Sequence, residues 1–568
     1  MEILDWIVLV GTLAFIVVYG SWKSRGSKDI KGYLLGGKEA GWLTVALSIM
    51  ATQASAITFL SAPGQAYSDG MRFVQFYFGL PIAMVVLSMT VVPFYHRLNV
   101  YTAYEFLEKR FDVWTRTLTA FLFLMQRGLA AGFTIFAPSL ILSSLLGWDI
   151  NLTNALIGIM VIVYTFTGGT KAVNQTQKYQ MVVILFGMFI AGVLVVEMLP
   201  DEVSFGSAMK IAGKMGKLNA VDFDFDLSSR YNIWTGVIGG FFLALSYFGT
   251  DQSQVQRYLS GSSVKQSRLG LLFNGMAKIP MQFLILFIGA MVYVFYIFHQ
   301  PPVVFNKVLL ENTQETAMHD ELLAAESAYI DAYEEKKKSA FSYVDALEEG
   351  DDAKTEEAIT HLRASDEEMK KAREEAKTII ETADPSADTN DINYIFLTFV
   401  IDYLPTGIVG LLIAVILSAS MSSTSGELNA LASTTLVDIY KRLGKKEASD
   451  AHYLKVSKWI TVFWGGYAIL FAMYANRLGS LIEAVNILGS LVYGTILGIF
   501  LTAFYVKRAG SRATFIAAVL SEAIILFCYF HPAINIPYLW YNVIGSISVM
   551  IFALIIQMMR GGSGHEAV

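Results

Sequence analysis

Apolar stretches of about 20 residues recur along the chain, and each is long enough to cross a hydrocarbon core about 30 Å thick. Only 16% of the 568 residues are charged, whereas a soluble protein of this length carries about a quarter. The ten-residue alternation of a transmembrane β-barrel does not occur. The fold class predicted is therefore an all-α polytopic membrane protein.

Hydropathy and loop charge together predict about 13 transmembrane helices. They cover roughly residues 4–21, 40–64, 72–95, 115–146, 152–169, 178–199, 232–258, 268–299, 405–440, 456–475, 480–507, 512–531 and 539–559. Basic loops follow the first, third, seventh, ninth and eleventh of these, beginning with SWKSRGSK (21–28). The positive-inside rule then predicts a multi-pass protein of the plasma (inner) membrane, with the N-terminus outside and the C-terminus cytoplasmic.

Residues 301–391 interrupt this pattern, because they hold about half of the acidic residues and a net charge near −14. Apolar residues recur at three-to-four spacing between Ile359 and Ile379, and EEGDD offers a turn. We expect an acidic extracytoplasmic helical hairpin between helices 1–8 (residues 1–300) and helices 9–13 (residues 392–568). It is either a solvated decoration or a docking surface for an extracytoplasmic partner.

Several function classes have no support in the sequence. Cys528 is the only cysteine, so an internal disulfide and a thiolate zinc site are excluded. The seven histidines lack metal-ligand spacing, and no P-loop, dinucleotide fingerprint or nucleophile elbow occurs. We expect neither an enzyme nor a partner of nucleic acids.

Polar residues interrupt three of the predicted helices. ATQASAITFLSAPGQAY (51–67) lies in the second, LSYFGTDQSQVQRY (245–258) in the seventh, and SASMSSTSGELNA (418–430) in the ninth. Unwound backbone in a membrane must line a cavity rather than face lipid. Paired broken helices five helices apart indicate a transporter built as a five-plus-five inverted repeat, with its site near the midplane.

The ninth helix places Ala419, Ser422 and Ser423 at i, i+3 and i+4, so one face presents a carbonyl and two hydroxyls. Neutral oxygens of this kind suit Na⁺, a small hard cation. Close packing of small residues against a neighbouring helix explains the same pattern equally well.

Four motifs together resemble the sodium:solute symporter family. They are AxxxSAIxFLxxPGxAY, TGGTKAV, LSYFGxxQxxVQRYLS and LPxGIxGLLIAxxLSASMSSxSxxLNALxS, and the resemblance runs from about residue 5 to 510 without the acidic hairpin. It implies the leucine-transporter-type fold, with helices 2–6 and 7–11 as inverted repeats. It also implies a Na⁺ site formed by the backbone carbonyls of Ala51, Ala54 and Ala419 and the hydroxyls of Ser422 and Ser423.

Relatives with a second sodium carry an aspartate where this chain has Gln177, and a hydroxyl where it has Gly426. We therefore predict one sodium per cycle, with Gln177, Ser425 and Glu427 as candidates for a second-cation or coupling role. For Glu427 three interpretations stay open: a replacement ligand for a remodelled cation site, a partner for a buried basic residue, or a side chain reaching the inner interface.

Arg127 lies near mid-membrane in the fourth helix, where its forked donors fit a carboxylate. In the sialic acid branch an arginine on this helix binds the substrate carboxylate, and Arg127 resembles it; a buried pair with Glu427 is the alternative. The resemblance also implies substrate contacts from Ser55, Thr58 and Gln75, while Gln53 departs from that branch.

By the same resemblance, Tyr247 and Phe248 form an aromatic inner gate. Ile57 and Ala244 replace polar residues of the sugar-transporting members, which disfavours a neutral hexose. The expected function is therefore sodium-coupled import of a small carboxylate, with sialic acid and then a monocarboxylate as candidates. A sodium/sugar symporter and a membrane sensor on a transporter scaffold are the alternatives.

Overall fold

The fold is helical throughout the described part of the chain. The computed structural model describes residues 1–23, 32, 34, 36–385, 387–475 and 480–560, but only the backbone of 17, 19–23, 167–169, 171 and 172. Most of the predicted basic loop SWKSRGSK and the C-terminal tail lie outside the described residues. The side chains of most of TGGTKAV lie outside them too.

The α-helices are numbered in chain order. The first eleven are α1 (Ile3–Lys23), α2 (Trp42–Gln53), α3 (Ala56–Asp69), α4 (Leu80–Met89), α5 (Val91–Leu98), α6 (Glu105–Arg110), α7 (Val113–Leu146), α8 (Ile150–Glu197), α9 (Phe205–Lys214), α10 (Gly240–Thr250) and α11 (Gln252–Leu259). The remainder are α12 (Val264–Phe298), α13 (Lys307–Gln314), α14 (His319–Glu349), α15 (Asp352–Ala383), α16 (Ile392–Tyr403), α17 (Ile408–Thr434), α18 (Asp450–Ala472), α19 (Leu481–Tyr505), α20 (Ser511–Phe530) and α21 (Tyr538–Met559). A 3₁₀ segment precedes α4 (Met71–Tyr77), and π-helical turns precede α10 (Thr235–Gly239) and extend α17 (Thr435–Gly444).

Eight helical segments of the described ranges are long and apolar enough to cross a membrane. The pair α2 and α3, bent by 60° at its break, adds a ninth. Shorter apolar helices occur at 3–16, 150–166, 235–250 and 392–403. The all-α membrane class predicted from the hydropathy is confirmed at this level.

Two helices break at the polar interruptions of the sequence. The helix α2 ends at Gln53, and Ala54 (φ −86°, ψ 74°) and Ser55 (φ −74°, ψ 172°) leave the helical region before α3 begins. The second break is at Asp251, which is extended (φ −77°, ψ 119°) between α10 and α11. The Asp251 carboxylate accepts a hydrogen bond from the Ser253 amide at 2.8 Å and so caps α11.

The predicted spans 152–169 and 178–199 are not separated by a loop, which corrects that boundary. They form the single helix α8 of 48 residues. Tyr164 nonetheless hydrogen-bonds Thr176, twelve residues further on. In a straight helix twelve residues span about 18 Å, so α8 bends sharply between these two side chains.

The basic loops gather at one end of the molecule. Contacts between loops that are distant in sequence establish this: Ala40 N to Ser260 O (3.1 Å), His96 to Ser267 (2.9 Å), Arg110 to Lys507 O (3.1 Å) and Arg442 to Glu108 (2.6 Å). The loops that follow the third, seventh, ninth and eleventh predicted helices therefore share one side, as their charge predicts.

The acidic segment folds as two long antiparallel helices, α14 and α15, joined at Gly350 (φ +68°). Lys336 of α14 and Asp366 of α15 form an ion pair at 2.7 Å, although each side chain is only about 5% exposed. Lys370 also reaches Asp366, at 2.9 Å. The hydroxyl of Tyr293, near the end of α12, donates to Asp366 at 3.0 Å and so docks the hairpin on the transmembrane helices.

The helix that follows the hairpin, α16, is buried over most of its length. In α16, Asn393 and residues 395–400 are all buried. A Cβ at Gly64 of α3 would lie 2.0 Å from the Ile392 carbonyl oxygen, so only glycine lets the two helices approach this closely. The helix α16 is therefore a buried packing partner of α3.

We expect Asp366→Asn to loosen the hairpin, because it leaves the buried Lys336 ammonium without its carboxylate. Removing one partner of a buried pair costs about 3–5 kcal/mol. Amide hydrogen exchange of residues 319–383 in the full chain should accelerate accordingly. Glu349→Gln, which breaks the exposed pair with Lys354 at 2.6 Å, is the matched control and should leave exchange unchanged.

The ion pair of Asp366 with Lys336 makes the stability of the hairpin depend on pH. Burial alone would raise the pKa of Asp366, but the attraction and hydrogen bonds of Lys336 and Lys370 outweigh it and hold this pKa well below its ordinary value. A depressed carboxyl pKa stabilises the fold above the unfolded value of about 4, and this stabilisation is lost as the pH falls below it. Hairpin protection that is unchanged between pH 7 and 3 would contradict this account.

Candidate functional site

A cavity of about 110 Å³ opens at the break between α2 and α3. Its walls come from both halves of the broken helix and from α7, α10, α17 and α19. The polar and aromatic residues that line it include Thr52, Gln53, Ser55, Thr58, Gln126, Arg127, Thr134, Tyr247, Phe248, Glu427, Asn486 and Tyr493.

The break presents helix ends of opposite polarity to one region. At the end of α2 the Met50 carbonyl still accepts from the Ala54 amide at 2.7 Å, but the carbonyls of Ala51 to Gln53 have no amide of their own helix to accept from. At the start of α3 the Thr58 amide donates to the Ser55 carbonyl at 3.0 Å, the amides of Ala56 and Ile57 have no carbonyl of their own helix, and the Ser55 side chain makes no capping bond. The α2 end therefore favours a cation and the α3 end an anion.

The hydroxyl-rich face of α17 lies against this break. Ser422 is 1% exposed, and its Oγ has no hydrogen-bond partner among the described residues. Ser423 Oγ donates to the Ala419 carbonyl at 3.0 Å. A buried hydroxyl without a partner is costly, so Ser422 needs a ligand or a neighbouring polar group.

Gln177 of α8 connects α2 to α17 through hydrogen bonds. Its Nε2 donates to Thr52 Oγ1 at 3.0 Å and to the Ser422 carbonyl at 3.2 Å, and its Oε1 accepts from Ser48. Ser425 Oγ donates to the same Ser422 carbonyl at 3.0 Å. An amide N–H group thus occupies the position between α2 and α17 where oxygens of both helices converge.

Gly426 faces this amide. A Cβ there would lie 3.6 Å from Gln177 Nε2 and 3.6 Å from Thr52 Cγ2, which is ordinary contact. A larger side chain is therefore not excluded by its first atom. The Gln177 amide itself fills this position, because its N–H groups point at the Thr52 hydroxyl and the Ser422 carbonyl.

Arg127 is paired with acidic side chains of the protein itself. Its Nη1 donates to Glu427 at 2.9 Å, and its Nη2 contacts both Asp251 and Tyr493. Arg127 is 3% exposed and Asp251 is 1% exposed. The buried pair of Arg127 with Glu427, the alternative given above, is therefore observed. Asp251, at the second helix break, is a second carboxylate partner of the same guanidinium.

The charges of this network do not balance. Two carboxylates face one guanidinium, and Glu427 makes a further hydrogen bond only with Thr134, at 3.2 Å. Glu427 is 4% exposed, so it does not reach the membrane interface, and that interpretation is wrong. A buried uncompensated charge is strongly unfavourable, so the network favours an additional positive charge.

The two predicted gate aromatics line the cavity. Tyr247 and Phe248 meet edge to face with their ring centroids 4.9 Å apart, and the Arg127 guanidinium lies 5.4 Å from the centre of the Tyr247 ring. Tyr247 Oη accepts a hydrogen bond from Gln254 of α11 at 2.7 Å. Tyr247 therefore connects α10 to α11 across the second break.

Gln75 is a correction, because it does not line the cavity. Its Nε2 donates to the Tyr231 carbonyl at 3.0 Å, and its Oε1 accepts from the Asp222 amide at 3.0 Å. Both ends of the side chain are used to anchor the loop before α10. Gln75 is therefore a structural residue here.

Several residues of the site carry no signal in the sequence motifs. Gln126 and Asn486 line the cavity, and Gln126 Oε1 is buried without a partner in the described part of the chain, like Gln53 Oε1. Tyr493 joins the Arg127 network from α19. Asp251 had one local signal, since it is an acid at the interruption of LSYFGTDQSQVQRY.

Comparison with known proteins agrees with this geometry. The model of the sodium:solute symporter family matches residues 33–325 and 379–520. Human sodium-coupled monocarboxylate transporter 1 is 26% identical over 527 residues, which are 92% of this chain and 72% of that protein. The sodium/sialic acid symporter of Proteus mirabilis (strain HI4320) is 26% identical over 564 residues, 96% of this chain and 93% of that protein.

A solved structure of a Na⁺-coupled sialic acid symporter superposes with a TM-score of 0.75 at 22% identity, covering 98% of both chains. The fold is thus that of a membrane transporter with broken helices. The chain belongs to the sodium:solute symporter family, which confirms the resemblance seen in its motifs. It is a multi-pass membrane protein and a sodium-coupled symporter.

We expect Gln177→Ala to lower the thermal stability of the purified protein, because it removes donors to Thr52 and Ser422 and an acceptor for Ser48. Each buried hydrogen bond contributes about 0.5–1.5 kcal/mol. Gln180→Ala is the matched control: Gln180 is buried one turn further along α8, and its Oε1 has no partner in the described part of the chain. Equal losses of melting temperature in the two variants would contradict the bridging role.

Proposed function

We propose that this symporter imports a small monocarboxylate together with Na⁺ by alternating access, and that its activity is transport rather than catalysis. The observation that carries the proposal is the α2/α3 break, where a cation-favouring and an anion-favouring helix end meet at one cavity. The relatives include transporters named for monocarboxylates and for sialic acid.

The Na⁺ site that we propose uses the carbonyl oxygens of Ala51, Ala54 and Ala419 and the hydroxyls of Ser422 and Ser423. Three features support it: the break leaves the Ala51 carbonyl without an amide of its own helix, Ser422 Oγ lacks a partner in the described structure, and Gln177 holds α2 and α17 together. All of these ligands are neutral. Neutral ligands bind Na⁺ weakly enough for it to be released inside.

The size of the cavity favours a small solute. The cavity measures about 110 Å³, below the roughly 300–1,000 Å³ typical of sites for drug-sized ligands. This suits a short carboxylic acid better than a nine-carbon sugar acid. We propose that its carboxylate faces the α3 N-terminus between Ser55 and Thr58, with the unpartnered Nε of Arg127 as a further donor. Gln53 and Gln126 would bind a hydroxyl or keto group.

We propose that Glu427 provides the second cation-dependent step. Glu427 and Asp251 together carry two negative charges, and Arg127 neutralises only one of them. A solute carboxylate would add a third negative charge. A proton or second cation at Glu427 would offset this excess when the solute binds. At the Gln177 position the amide takes the place of a second sodium, so that Na⁺ binds only at the Ser422 site.

The membrane arrangement that we propose has 13 transmembrane helices, with the N-terminus outside and the C-terminus cytoplasmic in the plasma (inner) membrane. Helices 2–6 and 7–11 would be inverted repeats. The gathering of basic loops at one end supports this orientation through the positive-inside rule. The hairpin of residues 301–391 is then extracytoplasmic, between units 1–300 and 392–568.

Coupling follows from shared contacts in this proposal. Na⁺ would join α2 to α17, and the solute would join α3 to α7 and α10, so each ligand orders the break that the other needs. Such coupling is reciprocal: solute must raise the affinity for Na⁺ by the factor by which Na⁺ raises that for solute.

The Na⁺ site is tested by Ser422→Ala. Losing one oxygen ligand should raise the half-saturating Na⁺ concentration for lactate uptake into proteoliposomes about tenfold, equivalent to about 1.4 kcal/mol. Replacing Na⁺ by choline should abolish uptake by the native protein. Ser457→Ala, a buried hydroxyl on α18, is the matched control and should keep native Na⁺ dependence. Uptake that persists in choline would refute the proposal.

The role of Glu427 is tested by the charge moved per solute. One Na⁺, one monocarboxylate and one further cation make the native cycle carry one net positive charge, so an inside-negative potential should accelerate uptake. Glu427→Gln should make uptake insensitive to potential. Glu522→Gln, on α20 and away from the cavity lining, should remain sensitive. Electroneutral native uptake, or unchanged sensitivity in Glu427→Gln, would exclude a coupling role.

A further inference from the structure

A second cavity lies under the hairpin, at the opposite end of α3 from the helix break. It measures about 400 Å³. One wall is the outer end of α3 with the segment around Lys217, and the other is formed by α14 and α15. The family match stops at residue 325 and resumes at 379, so the hairpin wall lies outside it. This cavity is therefore specific to a chain that carries the insertion.

The walls of this cavity are basic, although residues 301–391 are strongly acidic overall. Five cationic and three anionic side chains line it: Lys217, Lys336, Lys370, Arg373 and Lys377, against Asp366, Glu374 and Asp391. The hairpin thus turns its acidic residues mostly outward and its cations toward the transmembrane helices.

The pairing leaves one cation in excess. Asp366 is shared between Lys336 and Lys370, at 2.7 and 2.9 Å, and Lys370 also pairs with Glu367 at 2.8 Å. Lys217 has no carboxylate within ion-pair distance in the described structure, and its Nζ donates to the Ser68 carbonyl at 2.6 Å.

The other two cations each have a carboxylate. Arg373 pairs with Asp391 at 2.6 Å, and Lys377 pairs with Glu374 at 3.2 Å. The excess therefore resides in Lys217.

Lys217 shows the effect of this excess. It is 8% exposed and lies 4.4 Å from the centre of the Tyr293 ring. Burial lowers the pKa of Lys217 to about 8, and nearby Lys370 and Lys336 act in the same direction while Asp366 opposes them. An anion beside Lys217 would relieve this repulsion.

We propose that this cavity binds a small anion, carboxylate or phosphate, between Lys217 and Lys370. The uncompensated charge of Lys217 and the predominance of cations in the lining favour a small anion, and the volume of about 400 Å³ accommodates one with its water. The acidic outer faces of α14 and α15 repel large polyanions, which restricts the ligand to small molecules.

A bound anion would connect the hairpin to the broken helix. The Lys217 carbonyl accepts a hydrogen bond from the Met71 amide at 3.0 Å, and a Cβ at Gly70 would lie 2.9 Å from the Gly216 carbonyl oxygen. The segment that carries Lys217 therefore abuts the end of α3. The anion would hold α14 and α15 against the helix whose other end forms the transport cavity.

The test is calorimetric titration of the full chain in detergent at constant ionic strength. The probes are phosphate in one arm and lactate in the other. All titrations are made with choline in place of Na⁺, so that the Na⁺-dependent transport site does not contribute to the heat of binding. This test of the anion site is therefore independent of whether the proposed Na⁺ site is correct. Binding of either probe supports the site, and the preferred probe identifies its source as an inorganic anion or a carboxylate.

Variants locate the binding. Lys217→Gln combined with Lys370→Gln should weaken it at least tenfold, whereas Lys217→Arg, which keeps the charge, should retain it. Lys354→Gln combined with Lys371→Gln removes two exposed charges from the same hairpin outside the cavity, and should leave binding unchanged. Absence of binding to the native protein, or an equal loss in this control, would overturn the proposal.

Discussion

The arrangement of this protein depends on one interruption of backbone hydrogen bonding, between Gln53 and Ala56. Unpaired amides and carbonyls in a hydrocarbon environment cost several kcal/mol each, so such a break persists only where other groups satisfy it. The fold meets this requirement partly with side chains, since Gln177 and the hydroxyls of α17 lie against it. Ser422 Oγ and the two helix ends remain without full hydrogen bonding. The proposed Na⁺ and solute would bind these groups.

The second break extends the same logic to the other half of the molecule. Asp251 caps α11 with one carboxylate oxygen and contacts Arg127 with the other. Arg127 in turn holds Glu427 on α17, so a single guanidinium joins the second break to the helix that faces the first. A change of charge at Glu427 would therefore be felt at both breaks, which makes this network suited to coupling ion binding to movement.

The sequence predicted the parts of this site that depend on local composition. Small polar residues, Gly and Pro within apolar stretches located both breaks, and the spacing of Ala419, Ser422 and Ser423 defined one helix face. It offered Glu427 as one of two candidate partners of Arg127 but did not indicate Asp251, which lies 124 residues away and reaches Arg127 only through tertiary packing. The predicted substrate contact of Gln75 is wrong for the same reason, because the partners of this side chain are backbone atoms of a distant loop.

The hairpin shows how an average over a segment conceals its chemistry. A net charge near −14 over residues 301–391 suggests an acidic surface, yet helical periodicity lets one sequence present different charges on different faces. Lys336, Lys370 and Arg373 share the face that meets the transmembrane helices. That face encounters Lys217, a cation from another part of the chain, where an acidic face would have formed a simple ion pair. Like charges brought together at a closed interface raise its free energy unless an anion accompanies them, and such an interface is most stable with the anion bound.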